Sequence, residues 1–529
     1  MKKMQKKKNV REILCFLFYF LFTLSFSYVF VNCFFREISV YHKFHSWIYL
    51  LLGILTIILW FFLYKAIKKI FVKLTQKQII VLFIITFLLS IGVLIFISCL
   101  FEAPLSWDFG IVYDQAKSYV TTGDRNLLAV YPEYFQLFPN NIAIFLIEVF
   151  LFRIGKLFGF TDFRAIGILF NGIVIFLAIL FLVLYCYRRF GKEKAYFSLV
   201  ISFFFLPLFL YLPIFYSDTF SIVFGPLLLF LSTFIEDQKW KKNVFLFLVM
   251  TFCLFVGMKI KMTVFFFFFG FLFLFFVQKK YKLLLVFMLI FFEGYFVLNK
   301  VYQEVVIERE SFSFQENDYG QIPVTHWLMM GLEDPNADNS GRNAYGGYNL
   351  EDYNITQSYA KGVDSIPRHK EEIVRRLQEY GIVGYFDYLT KKAVNAWGDG
   401  SYYVQIALLR NQDVNQEGEI QQFLTGKSSD IVFYLEEGVQ IAFLFILCFS
   451  GFYCLKTKER ETLVEHISIF LLFLFLLVWE NRSRYLYNYI PIFIIIITYY
   501  IDKLKCLGGL YEKYFKNRKK NLKLDRKSY

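Results

Sequence analysis

Long apolar runs alternate along the chain with short, mostly basic polar segments. Each run has 16 or more residues, close to the roughly 20 that a helix needs to cross a membrane. The thirteen runs span about 13–35, 47–64, 79–101, 141–158, 165–187, 195–216, 218–236, 243–258, 262–278, 283–299, 431–455, 464–479 and 486–501. This pattern predicts an all-α polytopic membrane protein.

The distribution of basic residues predicts which runs cross the membrane, because Lys and Arg concentrate in cytoplasmic loops. The basic clusters are Lys65/Lys68/Lys69/Lys73, Arg188/Arg189/Lys192/Lys194, Lys239/Lys241/Lys242, Lys279/Lys280/Lys282, Lys456/Lys458/Arg460 and the tail Lys503 to Lys527. All of them fall inside if the N-terminus is cytoplasmic and the run 141–158 does not cross. That run carries Glu148, Arg153 and Lys156, which a helix lying on the membrane surface tolerates better than a span does. We therefore expect about twelve transmembrane helices, an outer interfacial helix and both termini in the cytoplasm.

Composition agrees with a cell-membrane protein. Hydrophobic residues make up 57% of the chain and aromatic residues 22%, well above the content of a soluble domain. The net charge of +14 is accounted for by cytoplasmic loops and the tail, so we expect no nucleic-acid partner. Lys2 to Lys8 precede the first run without a small-residue cleavage site, which predicts a retained flank rather than a signal peptide.

Cysteines and histidines give no metal-binding pattern. The eight cysteines lie in or beside apolar runs without a CxxC pair, and the five histidines are scattered. Packing is the expected role of these cysteines. We expect neither a metal nor another cofactor.

The polar segments divide the chain into six parts. The two large outer segments are 102–163, which includes the interfacial helix, and 300–430, which we expect to form a small folded outer domain with a helix around Pro367 to Tyr380. The other parts are N-terminal transmembrane helices over 1–101, a transmembrane core over 164–299, C-terminal transmembrane helices over 431–501 and a basic cytoplasmic tail over 502–529.

Charged residues at the outer ends of spans are candidates for a site. Asp108 follows Trp107 just after the run 79–101, where a carboxylate meets the phosphate level of the membrane, and Asp114 follows six residues later. Four basic residues depart from the positive-inside rule, and they are Lys259, Lys261, Arg482 and Arg484. Such cations attract a lipid phosphate, and the alternative is that they anchor helix ends at the headgroups.

Several short motifs together resemble a GT-C glycosyltransferase, a polytopic enzyme that uses polyprenyl-phosphate sugars. The motifs are Trp107-Asp108, Phe138-Pro139-Asn140-Asn141, Tyr216-Ser217-Asp218, Lys261-x-Thr263 and Glu480-x-Arg482-x-Arg484-Tyr485. The chain is most similar to bacterial relatives of the protein mannosyltransferase and aminoarabinose transferase families. Stretches at 326–332, 346–349 and 397–400 resemble Gram-positive members of that group. The paired acidic residues and the Pro-Pro-Leu segment of protein mannosyltransferases are absent, which argues against a protein acceptor.

The resemblance implies transfer of a sugar from an undecaprenyl-phosphate donor to a cell-envelope glycan or teichoic-acid-type polymer at the outer face. Asp108 is then the expected general base, with Asp114 in reserve and Asp218 orienting either Asp108 or the acceptor. Asp218 has an equal chance of simply capping a helix. The four outer cations would bind the donor phosphate without a metal. His326 and Trp327 are weaker candidates for contact with the acceptor sugar, against ordinary packing.

Two other functions share parts of this pattern. A polysaccharide polymerase or ligase also has many spans and one large outer loop with arginines. A transporter or lipid-linked sugar flippase should carry charges in mid-span and broken helices. The predicted spans are almost free of charge at their centres, which favours an enzyme over a transporter.

Overall fold

The computed structural model describes residues 10–35, 46–123, 134–304, 321–334, 345–409, 418–426 and 428–506. In these ranges the regular structure is helical and no strand occurs, which confirms the all-α class. The α-helices are α1 Val10–Asn32, α2 Ser46–Phe71, α3 Gln76–Leu100, α4 Trp107–Thr122, α5 Tyr134–Leu137, α6 Ile142–Leu157, α7 Phe163–Phe190, α8 Lys192–Ser202, α9 Pro207–Leu210, α10 Ser217–Phe220, α11 Phe224–Ser232, α12 Trp240–Ile260, α13 Phe266–Val277, α14 Tyr281–Val301, α15 Val324–Met330, α16 Leu350–Gln357, α17 Ile366–Trp397, α18 Val404–Leu409, α19 Glu419–Leu424, α20 Asp430–Thr457, α21 Leu463–Val478 and α22 Ile490–Tyr500. Short 3₁₀ helices span Pro139–Asn141, Met262–Phe265, Gly362–Ser365, Ser483–Tyr489 and Ile501–Leu504.

Many of these helices suit a membrane interior. In the described part of the chain, eight are long and apolar enough to cross, namely Val10–Asn32, Trp47–Phe71, Gln76–Leu100, Phe163–Phe190, Trp240–Ile260, Tyr281–Glu304, Asp430–Thr457 and Ser483–Leu504. Shorter apolar helices span Ser217–Ser232, Met262–Val277 and Leu463–Val478. The protein is therefore an integral multi-pass membrane protein.

Helix α6 occupies the run that we expect to lie at the outer surface. Its 16 residues are about 24 Å long, and it packs between α4 and α7. Lys156 Nζ donates a hydrogen bond to the Val120 carbonyl at 2.8 Å, and the Arg153 guanidinium lies 5.1 Å from the centre of the Tyr119 ring. The basic side chains of α6 thus hold α4, the helix that begins with Trp107 and Asp108.

The structure differs from the predicted continuous span over 195–216. Helix α8 ends at Ser202, α9 is a single turn that starts at Pro207, and Pro213 lies in the turn that follows. Proline has no N–H and its ring excludes the preceding helical turn, so it ends helices. The uniformly apolar sequence hides this break. An irregular and largely buried stretch over 203–216 consequently separates α8 from α10 and α11.

A buried asparagine compensates the backbone at this tip. Asn171 of α7 is fully buried, and its Nδ2 lies within hydrogen-bonding distance of the carbonyls of Tyr211, Leu212 and Ile214, at 3.2, 2.8 and 3.3 Å. Carbonyl groups left free inside a membrane protein are costly unless a neighbour satisfies them. Asn171 therefore stabilises the turn that leads into Asp218.

The outer segment is held to the membrane helices by α17. The predicted helix around Pro367 to Tyr380 is confirmed, and it continues past a break at Gly381 to Trp397. Trp397 is buried, with its ring 5.1 Å from the Phe26 ring of α1 and 6.0 Å from the Phe473 ring of α21. The end of α17 is thus part of the transmembrane core.

Arg376 organises the polar interior of the same segment. Its guanidinium is 8% exposed and lies 2.7 Å from Glu333, 2.6 Å from Asp352 and 2.8 Å from Glu372. Burial raises the pKa of Glu333 to about 7, and Arg376 opposes this rise. Arg376 therefore joins three carboxyl groups from separate parts of the segment, and Arg375 also pairs with Glu372.

Replacing Arg376 with Ala should destabilise the outer segment by about 3–5 kcal/mol, because buried carboxylates would lose their cation. Arg368→Ala is the matched control, since Arg368 and its partner Glu371 are 48% and 70% exposed and exposed ion pairs contribute about 1 kcal/mol or less. Thermal unfolding and limited proteolysis of the purified variants measure the difference. Equal losses in both variants would contradict this role of Arg376.

Candidate functional site

Asp108 lies in the first turn of α4 and is held by a chain of hydrogen bonds. The Tyr134 hydroxyl donates to Asp108 Oδ1 at 2.7 Å, and Asn141 Nδ2 donates to the Tyr134 oxygen at 2.6 Å. The Tyr216 hydroxyl donates to Asn141 Oδ1 at 2.9 Å. Three of the quoted motifs therefore meet here, since Asn141 ends the Phe-Pro-Asn-Asn motif and Tyr216 begins the Tyr-Ser-Asp motif.

Asp218 lies in a second, buried group of charges. It is 3% exposed and forms an ion pair with Lys261. Arg484 Nε lies 3.8 Å from the other carboxylate oxygen. Burial lowers the pKa of Lys261, and Asp218 opposes this effect. The trio thus combines two basic side chains with one carboxyl group.

The two arginines of the Glu-x-Arg-x-Arg-Tyr motif lie over aromatic rings. The Arg484 guanidinium is 4.3 Å from the centre of the Trp107 ring, and Arg482 is 4.9 Å from that of Tyr403. Trp107 has φ 57° and Tyr403 has φ 66°, a region that non-glycine residues occupy at a cost. Strained backbone thus presents both rings to the cations, which are attracted to aromatic faces.

Glu480 belongs to the same group, although its sequence motif gave it no role. It is 8% exposed and accepts a hydrogen bond from the Tyr485 hydroxyl at 2.9 Å. The Tyr485 ring lies 4.6 Å from Lys261 Nζ. Burial raises the pKa of Glu480, the neighbouring arginines oppose this, and the charge of Asp108 adds to it. The charges of both Asp108 and the arginines therefore act on Glu480.

Lys259 and Asp114 lie apart from these groups. Lys259 Nζ donates to Asn299 Oδ1 of α14 at 2.8 Å and lies 4.6 Å from the centre of the Tyr302 ring. Helix α12 ends at Ile260 and the backbone becomes extended at Lys261, so the two lysines have different neighbours. Asp114 is exposed on α4.

His326 is an interior residue of the outer segment. It is 1% exposed, and its Nδ1 lies 2.6 Å from Thr356 Oγ1. The same hydroxyl lies 2.9 Å from His369 Nε2. Burial and the neighbouring His369 lower the pKa of His326 to about 4, so it is neutral at physiological pH. This environment offers packing and hydrogen bonding within the segment.

Trp327 instead packs among aromatic side chains that reach Tyr134. Its ring centre is 6.3 Å from that of Trp479, with 20° between the planes, and 6.3 Å from that of Phe138. The Phe138 ring is in turn 5.1 Å from the Tyr134 ring. Half-buried aromatic side chains thus connect Tyr134, which bonds to Asp108, with Trp479, which precedes Glu480. Phe138 begins one of the quoted motifs and Trp479 directly precedes another, so their places in the sequence point to both.

The described residues contain no cluster of three or more His, Cys, Asp or Glu side chains that could hold a metal ion. Lys261 and Arg484, which lie beside Asp218, offer two largely buried basic side chains to an anionic group. Both side chains donate charge-assisted hydrogen bonds, which phosphate oxygens accept well.

A model of the family described as "Conserved hypothetical integral membrane protein" matches residues 4–505. Comparison with curated proteins gives no match, and comparison with solved structures gives none. The family match covers nearly the whole chain, including all of the site residues above. The chain belongs to this family of conserved integral membrane proteins.

Proposed function

We propose that the protein is a GT-C-type hexosyltransferase that moves a sugar from an undecaprenyl-phosphate donor to a cell-envelope glycan or teichoic-acid-type polymer. The observation that carries the proposal is the joint placement of Asp108 and the trio Asp218, Lys261 and Arg484. Tyr216 links the two groups. Its hydroxyl bonds to Asn141, which belongs to the row of hydrogen bonds that ends at Asp108. Its ring lies beside the Trp107 ring, which in turn packs on Arg484. Glycosyl transfer from a lipid phosphate needs a proton acceptor beside such cations.

The reaction divides between these two groups. Asp108 takes the proton of the acceptor hydroxyl as its oxygen bonds to the anomeric carbon. The bond from that carbon to the phosphate oxygen breaks, and its electron pair leaves with undecaprenyl phosphate. Arg484 and Lys261 stabilise the charge that develops on the phosphate. The Tyr134 hydrogen bond restricts the orientation of the base.

Arg484 has unused hydrogen-bonding capacity for this role. Its side chain is 10% exposed, and within the described residues its buried Nε has no hydrogen-bond partner. A buried donor left unpaired is unfavourable unless a ligand satisfies it. A lipid phosphate would accept from Arg484 while Asp218 keeps Lys261 in place.

The aromatic side chains between Asp108 and Glu480 are proposed to contact the acceptor. Trp327 and Trp479 are half-buried, and aromatic rings suit the C–H faces of sugars. His326 lies against Trp327 with ring centres 4.9 Å apart in an edge arrangement. We assign His326 to the support of Trp327 rather than to direct contact.

The proposed topology has twelve crossings, with both termini in the cytoplasm and the site at the outer face. Helices α8 and α11 supply two of these crossings, and α6 remains at the outer surface. This arrangement places the basic clusters inside and leaves Lys261, Arg482 and Arg484 on the outer side with Asp108.

A flippase for a lipid-linked sugar is the second candidate. Two observations from the structure support a flippase more than the sequence pattern does. They are the helix break at 203–206 and the buried glutamates Glu436 and Glu437 in α20. Broken helices and buried acids are features of transporters. A polymerase or ligase would use the outer cations as well, but it would change glycan length rather than add one sugar.

Asp108→Asn should lower sugar transfer by about 10²- to 10⁴-fold with unchanged protein abundance, because the amide cannot accept the proton. The measurement is the mass of the envelope glycan in a deletion strain that expresses the variant. Asp114→Asn on the same helix should retain transfer, since Asp114 is exposed. Near-normal decoration with Asp108→Asn would refute the enzyme and favour the flippase.

Lys261→Ala should weaken binding of undecaprenyl phosphate to the purified protein by about 10-fold or more, as expected for loss of a charge-assisted hydrogen bond. Lys259→Ala, two residues away, should change the Kd by less than about 2-fold, because the Lys259 side chain is hydrogen-bonded to Asn299 instead. Undecaprenol, which lacks the phosphate, should bind all variants equally.

The double variant Lys261→Ala/Asp218→Asn separates two roles of Lys261. If Lys261 only neutralises Asp218, removal of both charges restores phosphate binding. If it also binds the phosphate, the double variant remains impaired, which is the outcome we expect.

A pair of lysines tests the topology. With Cys99 and Cys506, the exposed cysteines of the described ranges, replaced by Ser, Lys370→Cys should react with a membrane-impermeant thiol reagent in intact cells. Lys241→Cys should react only after the cells are opened. Both native side chains are exposed, so access depends on the side of the membrane. The reverse pattern would contradict the proposed topology and the outer position of the site.

A further inference from the structure

The second half of α17 exposes three large apolar side chains. Ile382 is 80% exposed, Val383 83% and Phe386 67%. Gly381 precedes them with φ 57° and ψ −175°, a conformation essentially restricted to glycine. The helix therefore changes direction here, and the apolar side chains begin directly after the change. Such a contiguous apolar group in water would be unfavourable.

Two contacts with α1 show how this half of α17 lies. The Trp397 ring is 5.1 Å from the Phe26 ring, and Thr390 Oγ1 is 2.9 Å from the Tyr28 hydroxyl. The seven residues from Thr390 to Trp397 advance about 10 Å along α17, whereas the two residues from Phe26 to Tyr28 advance about 3 Å along α1. Because α1 is a transmembrane helix, α17 crosses it steeply and runs close to the membrane plane.

The level of this crossing is the end of the α1 span. Tyr28 lies four residues before Asn32, the last residue of α1, or about 6 Å from that end. Phe386 lies four residues from Thr390 in the direction away from Trp397. The apolar group is thus expected near the boundary between acyl chains and headgroups.

The apolar group also continues the lipid-facing surface of α1. Leu24, Tyr28 and Val31 are 57%, 53% and 48% exposed, and they form one stripe on a membrane span. Tyr28 belongs to that stripe and bonds to Thr390 of α17. Tyr385 stands half-buried between Val383 and Phe386, and tyrosine is enriched at membrane interfaces.

We propose that residues 382–386 insert into the lipid leaflet on the Asp108 side, as an interfacial segment of the outer domain. Lipid is the occupant, rather than a second copy of the chain, because the apolar face is continuous with the lipid-facing stripe of α1. This anchor fixes the height of the outer segment above the membrane. It does not depend on which reaction the protein performs.

A fluorescent probe on Val383 tests this placement. Val383→Cys, in the background with Cys99→Ser and Cys506→Ser, is labelled with an NBD fluorophore and reconstituted into phosphatidylcholine vesicles containing doxyl-labelled lipid. The matched control is Val363→Cys, at an exposed valine (57%) of the outer segment. Quenching should be about threefold or more stronger at position 383 than at 363, with blue-shifted emission.

Equal quenching at the two positions would overturn the proposal. A blue shift at position 383 that varies with the protein-to-lipid ratio, with no quenching by the doxyl-labelled lipid, would also overturn it. In that case a second copy of the chain would cover the apolar face. Ile382→Cys provides an independent position if Val383→Cys does not fold, and the same two outcomes apply to it.

Discussion

Asp218, Lys261 and Arg484 can be buried together only because their charges compensate one another. Moving any one of them alone out of water would cost several kcal/mol. Asp218 lies in the short helix α10, Lys261 follows the last residue of α12, and Arg484 lies in a 3₁₀ helix before α22. The requirement for compensation therefore brings three distant parts of the chain to one place. The remaining features of the site follow from it: Tyr216 is fixed beside Asp218, and the hydrogen bonds from Tyr216 reach Asp108 through Asn141.

The charge balance of this group also suits a ligand. The trio has two basic side chains and one carboxyl group, and the buried Arg484 Nε has no hydrogen-bond partner in the described residues. The backbone at Trp107 is strained where its ring faces Arg484. Packing an arginine against an unstrained residue would cost less free energy. Glu480 adds a carboxyl group whose pKa is raised by burial.

The sequence was sufficient for those parts of the fold that depend on uniform hydrophobicity. The runs 79–101 and 165–187 correspond to α3 Gln76–Leu100 and α7 Phe163–Phe190, because a long apolar run in lipid must form a helix to satisfy its backbone. The break after Ser202 was not predictable in this way, since apolar residues continue through it. Its compensation by Asn171 requires a side chain from another helix, and no local pattern reveals such a partner.

The candidate site was predicted at the level of motifs rather than of individual side chains. Lys259 and Lys261 are equivalent in the sequence, but the end of α12 between them gives each a different neighbour. His326 and Trp327 are adjacent, and the helical rotation between them buries one within the outer segment and brings the other to Trp479. The most direct measurement is a structure of the protein with bound undecaprenyl phosphate. The account predicts the phosphate on Arg484 and Lys261 with Asp108 facing it, and a phosphate bound instead beside Lys279 and Lys280 would contradict it.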